Sequence, residues 1–206
     1  MCHGVALIPE KEKFIQLVNF IGQKYMVEAL LPRILENGSV SFISSSGGYG
    51  WENKIELINE YINLNTFEEQ VEWVEGHMPI FSEGYMSDSY CFSKQCINAY
   101  VKSKVRSPEF INKKIRVNAI APSYTISGLT KDFNLAISQD GSEESGEKLM
   151  HDLFLKSWNG RPGTSEDMGY PLVMIGSNLF GYLSGQVIYI DFGMTGEMDY
   201  KNLLSK

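Results

Sequence analysis

The sequence predicts an α/β fold built on a doubly wound parallel sheet. Three observations predict it. Short apolar, β-branched runs occur at "SVSFISSS" (39–46), "KKIRVNAIAP" (113–122) and "GQVIYIDFG" (185–193), far apart in a chain of 206 residues. Each run is bounded by Gly, Ser or Pro, as strands are. Between them lie long stretches with apolar residues at helical spacing. That alternation calls for parallel strands with helices on the sheet faces. Strands are expected over roughly 40–44, 116–119 and 187–190.

Taken in order, residues 11–35 ("KEKFIQLVNFIGQKYMVEALLPRIL") read as one long helix. Pro32 is expected to bend or tighten its last turn, and Gly38 is a stop signal. The first strand runs straight into Gly47, Gly48 and Gly50, a loop. Residues 51–88 change character: acidic side chains dominate, and Lys54 is the only lysine. Ile55, Leu57, Ile58, Tyr61, Ile62, Phe67, Val71, Trp73 and Val74 fall between them. Two short amphipathic helices with an acidic outer face are expected, with Tyr61, Phe67 and Trp73 on a pocket wall or an oligomer surface. A helix follows over about 88–106. Residues 123–160 read as a helical excursion with a polar middle, "SQDGSEESGEK". Ser165 is expected to cap the next helix, with Glu166 and Asp167 at its positive end. One domain over 1–206, with 51–88 as an insertion, is the expected organisation.

Composition excludes several classes. The net charge is −7, without a basic stripe, which argues against nucleic acid and anionic membrane surfaces as partners. No apolar run reaches the roughly 18 residues of a membrane helix. The N-terminus, "MCHGVALIPEKEKF", has neither a basic n-region nor a long apolar core, so no secretory signal is expected. Cys2, Cys91 and Cys96 lack CxxC spacing, and free thiols in a reducing cytoplasm are the simplest reading. His3, His77 and His151 show no metal-ligand spacing, so no metal is expected.

Chemistry concentrates in "SDSYCFSKQCINAY" (87–100), which puts Tyr90 four residues before Lys94. On a helix the two share a face. A phenol has an ordinary pKa of about 10, and an ammonium beside it favours the phenolate and lowers that value. Taken singly, such a pair occurs by chance on many helices. Four separated stretches alter that weighing: "VNFIG" with Asn19, "FISSSGGYG" with Ser45, "YCFSK" with Tyr90 and Lys94, and "RVNAIAPS" with Pro122. Together, and with "GRPGTSEDM" and "LSGQVIYIDFG" near the C-terminus, they resemble the short-chain dehydrogenase/reductase family. The length and place of the acidic segment are similar to bacterial 3α-hydroxysteroid dehydrogenase/carbonyl reductase enzymes.

The resemblance implies a Rossmann-like sheet and hydride transfer between NAD or NADP, with NAD slightly favoured, and a hydroxyl or ketone of a small apolar substrate, a steroid being one candidate. It implies Tyr90 as proton donor, Lys94 as holder of the nicotinamide ribose, Ser45 as hydrogen-bond partner of the substrate oxygen, and Asn19 as the group that positions a relay water. It also implies cofactor contacts at Gly4, Tyr90, Lys94, Pro122, Ser123, Thr125 and Ser127, and a cytoplasmic homodimer or homotetramer. The sequence departs from the family pattern in three ways. It lacks the G-x-x-x-G-x-G turn that holds the cofactor pyrophosphate, so an N-terminally truncated sheet and weak dinucleotide binding are expected. Ser123 and Phe192 stand where the family has Gly. The alternatives are a non-catalytic chain and a lyase or epimerase on the same scaffold.

Overall fold

The β-branched runs form the strands expected of them. In the computed structural model, which describes residues 11–81, 88–156 and 161–205, β1 (Ser39–Ile43), β2 (Arg116–Pro122) and β3 (Val187–Ile190) make one parallel sheet in the order β1-β2-β3. Ser39 pairs with Arg116, and Ala119 with Val187. All of β2 except Pro122 is buried, as befits the central strand of a sheet covered on both faces.

The first helical stretch is not one continuous α-helix. It divides into α1 (Glu12–Gln16), a π turn (Leu17–Ile21) and α2 (Gly22–Leu30). It ends in a 3-10 turn (Leu31–Arg33) that contains Pro32, so the proline tightens the last turn as expected. The acidic segment folds into α3 (Ile55–Ile62) and α4 (Phe67–Gly76). Thr66 and Glu69 close a reciprocal capping box on α4, satisfying two otherwise orphaned N–H groups.

Of the three aromatic residues expected on a pocket wall or oligomer surface, Tyr61 and Trp73 lie in the core instead, and Phe67 is half-buried. Tyr61 stacks on Trp73 at 4.5 Å and meets Phe20 at 5.2 Å and Phe92 at 5.9 Å. Tyr61 and Trp73 are buried, and Phe67 packs on Tyr25 at 5.8 Å. Large rings remove more apolar area from water inside a core than on a surface. The Trp73 indole N–H keeps a partner by donating to Glu60 Oε1 at 2.7 Å.

Beyond it come α5 (Asp88–Lys104), α6 (Pro108–Ile111), α7 (Thr130–Ile137), α8 (Glu143–Phe154), α9 (Ser165–Gly176) and α10 (Met194–Leu204). Strand alternation directs Phe42 toward α5, where it meets the Tyr100 ring at 5.8 Å. Ser39, of opposite parity, donates to the Gly176 carbonyl of α9 at 2.9 Å. Helices therefore cover both faces, the doubly wound arrangement expected. Capping of α9 starts one residue earlier than expected. Thr164 is the N-cap, and its hydroxyl accepts from the Asp167 N–H while Asp167 accepts from the Thr164 N–H.

Arg116 ties the far end of α9 to the sheet. It is buried, and its guanidinium donates to the carbonyls of Ile175 (2.7 Å), Phe180 (3.2 Å), Gly176 (3.3 Å) and Ser177 (3.1 Å). Ile175 and Gly176 end α9, whose last carbonyls lack intrahelical partners and attract a cation; Ser177 and Phe180 belong to the turn that follows and also accept backbone N–H groups.

After β3, Phe192 has φ 56° and Gly193 φ 94°. A side chain in the left-handed region costs roughly 1–2 kcal/mol that glycine does not. Phe192 is 72% exposed, so little burial compensates. Phe192→Gly is expected to raise stability by about 1 kcal/mol, read as a higher urea midpoint at unchanged slope. A lower midpoint would show that the phenyl contacts outweigh the backbone strain.

Candidate active site

β1 delivers the chain to a tight turn. After Ile43 come Ser44, Ser45 and the 3-10 turn Ser46–Gly48. The Ser45 hydroxyl accepts from the Gly47 N–H at 3.1 Å. The same hydroxyl lies near the Tyr90 phenol, a proximity that favours the phenolate. Gly47 lies between them: a Cβ there would fall 3.4 Å from the Tyr90 ring and 3.6 Å from Ser45 Oγ.

Tyr90, in the first turn of α5, is 8% exposed. Ile15 of α1 and Ala136 of α7 pack around it, and Phe133 of α7 meets its ring edge-on at 5.2 Å. Lys94 lies one turn further along α5, and its Nζ is 5.6 Å from the Tyr90 ring centroid. That ammonium donates to the Ile43 carbonyl at 3.1 Å.

The expected lowering of the Tyr90 pKa is not what this geometry produces. Burial pushes the phenol up to about 12, and the nearby Ser45 hydroxyl only partly opposes it. Burial pushes Lys94 down to about 8. Both charged forms lose hydration, and the ammonium is turned to Ile43 O. The desolvation comes in part from α7, which closes over the phenol.

Asn19 sits inside the π turn, fully buried, and donates to Ser93 Oγ at 3.4 Å. Ser93 precedes Lys94, so Asn19 approaches the back of the same stretch of α5. Single π turns recur at functional sites because the extra residue re-aims a side chain.

The loop after β2 is organised by its own hydrogen bonds. Pro122 pairs with Ile190, and the Ser123 N–H donates to Ile190 O at 3.2 Å. Thr125 Oγ1 donates to Ser123 O at 2.9 Å. Ser127 donates its N–H to Thr130 Oγ1 at 2.8 Å, and its hydroxyl accepts from Leu129 N–H at 3.2 Å, a turn that starts α7. Ser123 lines a cleft of about 170 Å³ with Tyr124, Phe154, Arg161, Asp191 and Phe192, which Ser45, Tyr90 and Lys94 do not line. The structure thus brings Ser45, Tyr90 and Lys94 together, while Ser123 lines a cleft that those three do not. Gly4 lies outside the described residues. No group of three or more His, Cys, Asp or Glu that could hold a metal occurs among the described residues, nor does a helix long and apolar enough to cross a membrane.

Two contributors to this site were not singled out in the sequence. Phe133 sits on an amphipathic helix and carried no local signal. Asn98 did carry one: it continues the Tyr90, Lys94 stripe by another four residues.

Comparisons with known proteins agree with this architecture. A family model described as enoyl-(acyl carrier protein) reductase matches residues 80–195. Coniferyl-alcohol dehydrogenase of Pseudomonas sp. (strain HR199 / DSM 7063) is 24% identical over 86% of this chain and 63% of its own length. The 3-oxoacyl-(acyl-carrier-protein) reductase of Rickettsia prowazekii (strain Madrid E) is 30% identical over 52% of this chain and 38% of its own. The chain therefore spans less than two thirds of the length of either relative. Among solved structures, the 3α-hydroxysteroid dehydrogenase of Pseudomonas sp. B-0831, complexed with NADH, superposes with TM-score 0.75 at 15% identity, covering 97% of this chain and 73% of that one. A short chain dehydrogenase family protein of Francisella tularensis subsp. tularensis SCHU S4 gives TM-score 0.67 at 16% identity, covering 94% and 69%. With the sheet order, the Tyr90–Lys94 helix and the Ser45 turn all in place, the chain belongs to the short-chain dehydrogenase/reductase family.

Proposed function

We propose that this chain carries the proton-transfer machinery of a nicotinamide-dependent dehydrogenase/reductase acting on a hydroxyl or ketone of a small apolar substrate. The contact of Ser45 with the Tyr90 phenol, beside the buried Lys94, carries the reading. The nicotinamide group, when bound, supplies or accepts the hydride. The chain's own residues handle the proton. Tyr90 Oη gives it to the oxygen of the reduced ketone, and the phenol's high pKa keeps that proton in place until a stronger base appears. Ser45 Oγ donates to the same oxygen and spreads its developing charge.

Lys94 fits a sugar hydroxyl. It is a buried ammonium with three donors, and the one hydrogen bond described for it goes to Ile43 O. Asn19 holds the relay water behind it, Pro122, Ser123, Thr125 and Ser127 meet the nicotinamide end, and Gly4 is a further cofactor contact. The cofactor is NAD or NADP, with NAD favoured; solved neighbours in complex with NADH and with NADP support a nicotinamide dinucleotide. A steroid is a candidate substrate, and the assembly is a cytoplasmic homodimer or homotetramer.

Nicotinamide mononucleotide tests this reading, because it carries the ribose and nicotinamide without the second nucleotide. Titrating it into ¹³C-lysine-labelled protein is expected to shift the Lys94 Cε resonance at millimolar concentration. A Lys94 resonance that stays in place while other lysines move would overturn the proposed site.

A further inference from the structure

We infer that Asn98 is a positioning residue: it clamps the Ser44–Gly48 turn to α5 and so sets Ser45 against Tyr90. The inference rests on the functional reading above only for the importance of that alignment. Tyr90, Lys94 and Asn98 follow one another at four-residue steps, so they form a stripe about 12 Å long on one face of α5. The first two carry the reacting and charged groups, and the third is 0% exposed.

Every polar atom of the Asn98 amide is spent on holding the neighbourhood of Ser45. Its Oδ1 accepts from Ser44 Oγ at 2.6 Å. Its Nδ2 donates to the Gly48 carbonyl at 2.9 Å and to the Tyr189 hydroxyl at 3.4 Å. The residues just before and three after Ser45 are thus fastened to one side chain. A buried amide with all its partners is costly to disturb and has one arrangement.

The turn approaches α5 so closely that only glycine fits. A Cβ on Gly48 would lie 2.6 Å from Asn98 Nδ2 and 3.0 Å from the Lys94 carbonyl oxygen. Backbone contact with Lys94 and side-chain contact with Asn98 together leave the turn no freedom to slide along the helix. An error of about 1 Å in such a placement costs on the order of 10²-fold in rate.

The test reads the Tyr90 phenol itself, so it stands whether or not the chain turns over a substrate. Protein labelled with ¹³C at tyrosine Cζ gives one resonance per phenol, and Tyr90→Phe assigns the one in question. Ser45→Ala is expected to move that resonance by removing the hydroxyl that lies beside the phenol across Gly47. Asn98→Leu is expected to move it in the same direction, and Asn98→Leu in the Ser45→Ala background to add nothing. A merely structural Asn98 would lower the melting temperature and leave the Tyr90 resonance at its wild-type position, which would overturn the inference. Should Asn98→Leu not fold, Ser44→Ala removes one of the clamp's bonds, and an unmoved Tyr90 resonance there overturns it equally. Neither outcome bears on nicotinamide binding at Lys94, so the two failures are distinguishable.

Discussion

Tyr90→Phe is expected to lower kcat for ketone reduction by about 10²–10⁴-fold, the usual contribution of a positioned proton donor. The fold should survive, because the phenyl ring fills the same site against Ile15 and Phe133. The substituted side chain loses only the hydroxyl. KM should hardly change, since the missing interaction belongs to the transition state. The pH dependence follows from the direction of the shift. A phenol raised to about 12 keeps its proton across the neutral range, so the donor form is fully populated for reduction. Alcohol oxidation needs the phenolate, and its rate should climb with pH toward that value. Steady-state assays from pH 6 to 10 with both nicotinamide cofactors check both statements. Wild-type reduction rates in Tyr90→Phe would transfer the donor role to another group.

The largest expected loss of stability is at Arg116. Arg116→Met keeps most of the apolar stem and removes the guanidinium shared by two carbonyls of the α9 terminus and two of the turn after it. We expect a loss of about 2–4 kcal/mol, from hydrogen bonds to a charged donor and from the Ile175 carbonyl left without that partner. Arg116→Lys should recover only a minor part, because a single ammonium cannot reach four oxygens spread over a planar fork. Urea denaturation of the three proteins measures this directly. A loss under about 0.5 kcal/mol for Arg116→Met would mean that water satisfies those carbonyls as well as the guanidinium does.

What was legible in the sequence and what was not divides along physical lines. The strands were legible because β-branched apolar runs bounded by Gly and Pro have few other uses, and all three formed near the expected residues. The Tyr90, Lys94 and Ser45 cluster was legible only through the ordered set of stretches that resembles the family, since each of the three taken singly has a commoner structural use. The π turn at Asn19 was not, since no residue type encodes one extra residue per turn; packing against α5 does. Thr164 and Ser165 are equally good caps in isolation, and the choice fell to the residue three before Asp167. The direction of the Tyr90 shift was missed for a related reason. Spacing reveals that a lysine is near, but only the fold reveals that α7 shuts out water and that Nζ turns to Ile43.

The sheet register has a kinetic consequence. Ser39 pairs with Arg116 and Ala119 with Val187, so no rung joins neighbours in sequence, and each pairing must first close a long loop against chain entropy. Folding dominated by such non-local contacts belongs in the millisecond-to-second range. During synthesis β1 waits with its backbone edge unpaired until β2 has emerged, and β2 waits in turn for β3. That interval is when the chain is most open to pairing with a second copy of itself. Slower synthesis at lower temperature should therefore raise the yield of folded protein more than any surface substitution would.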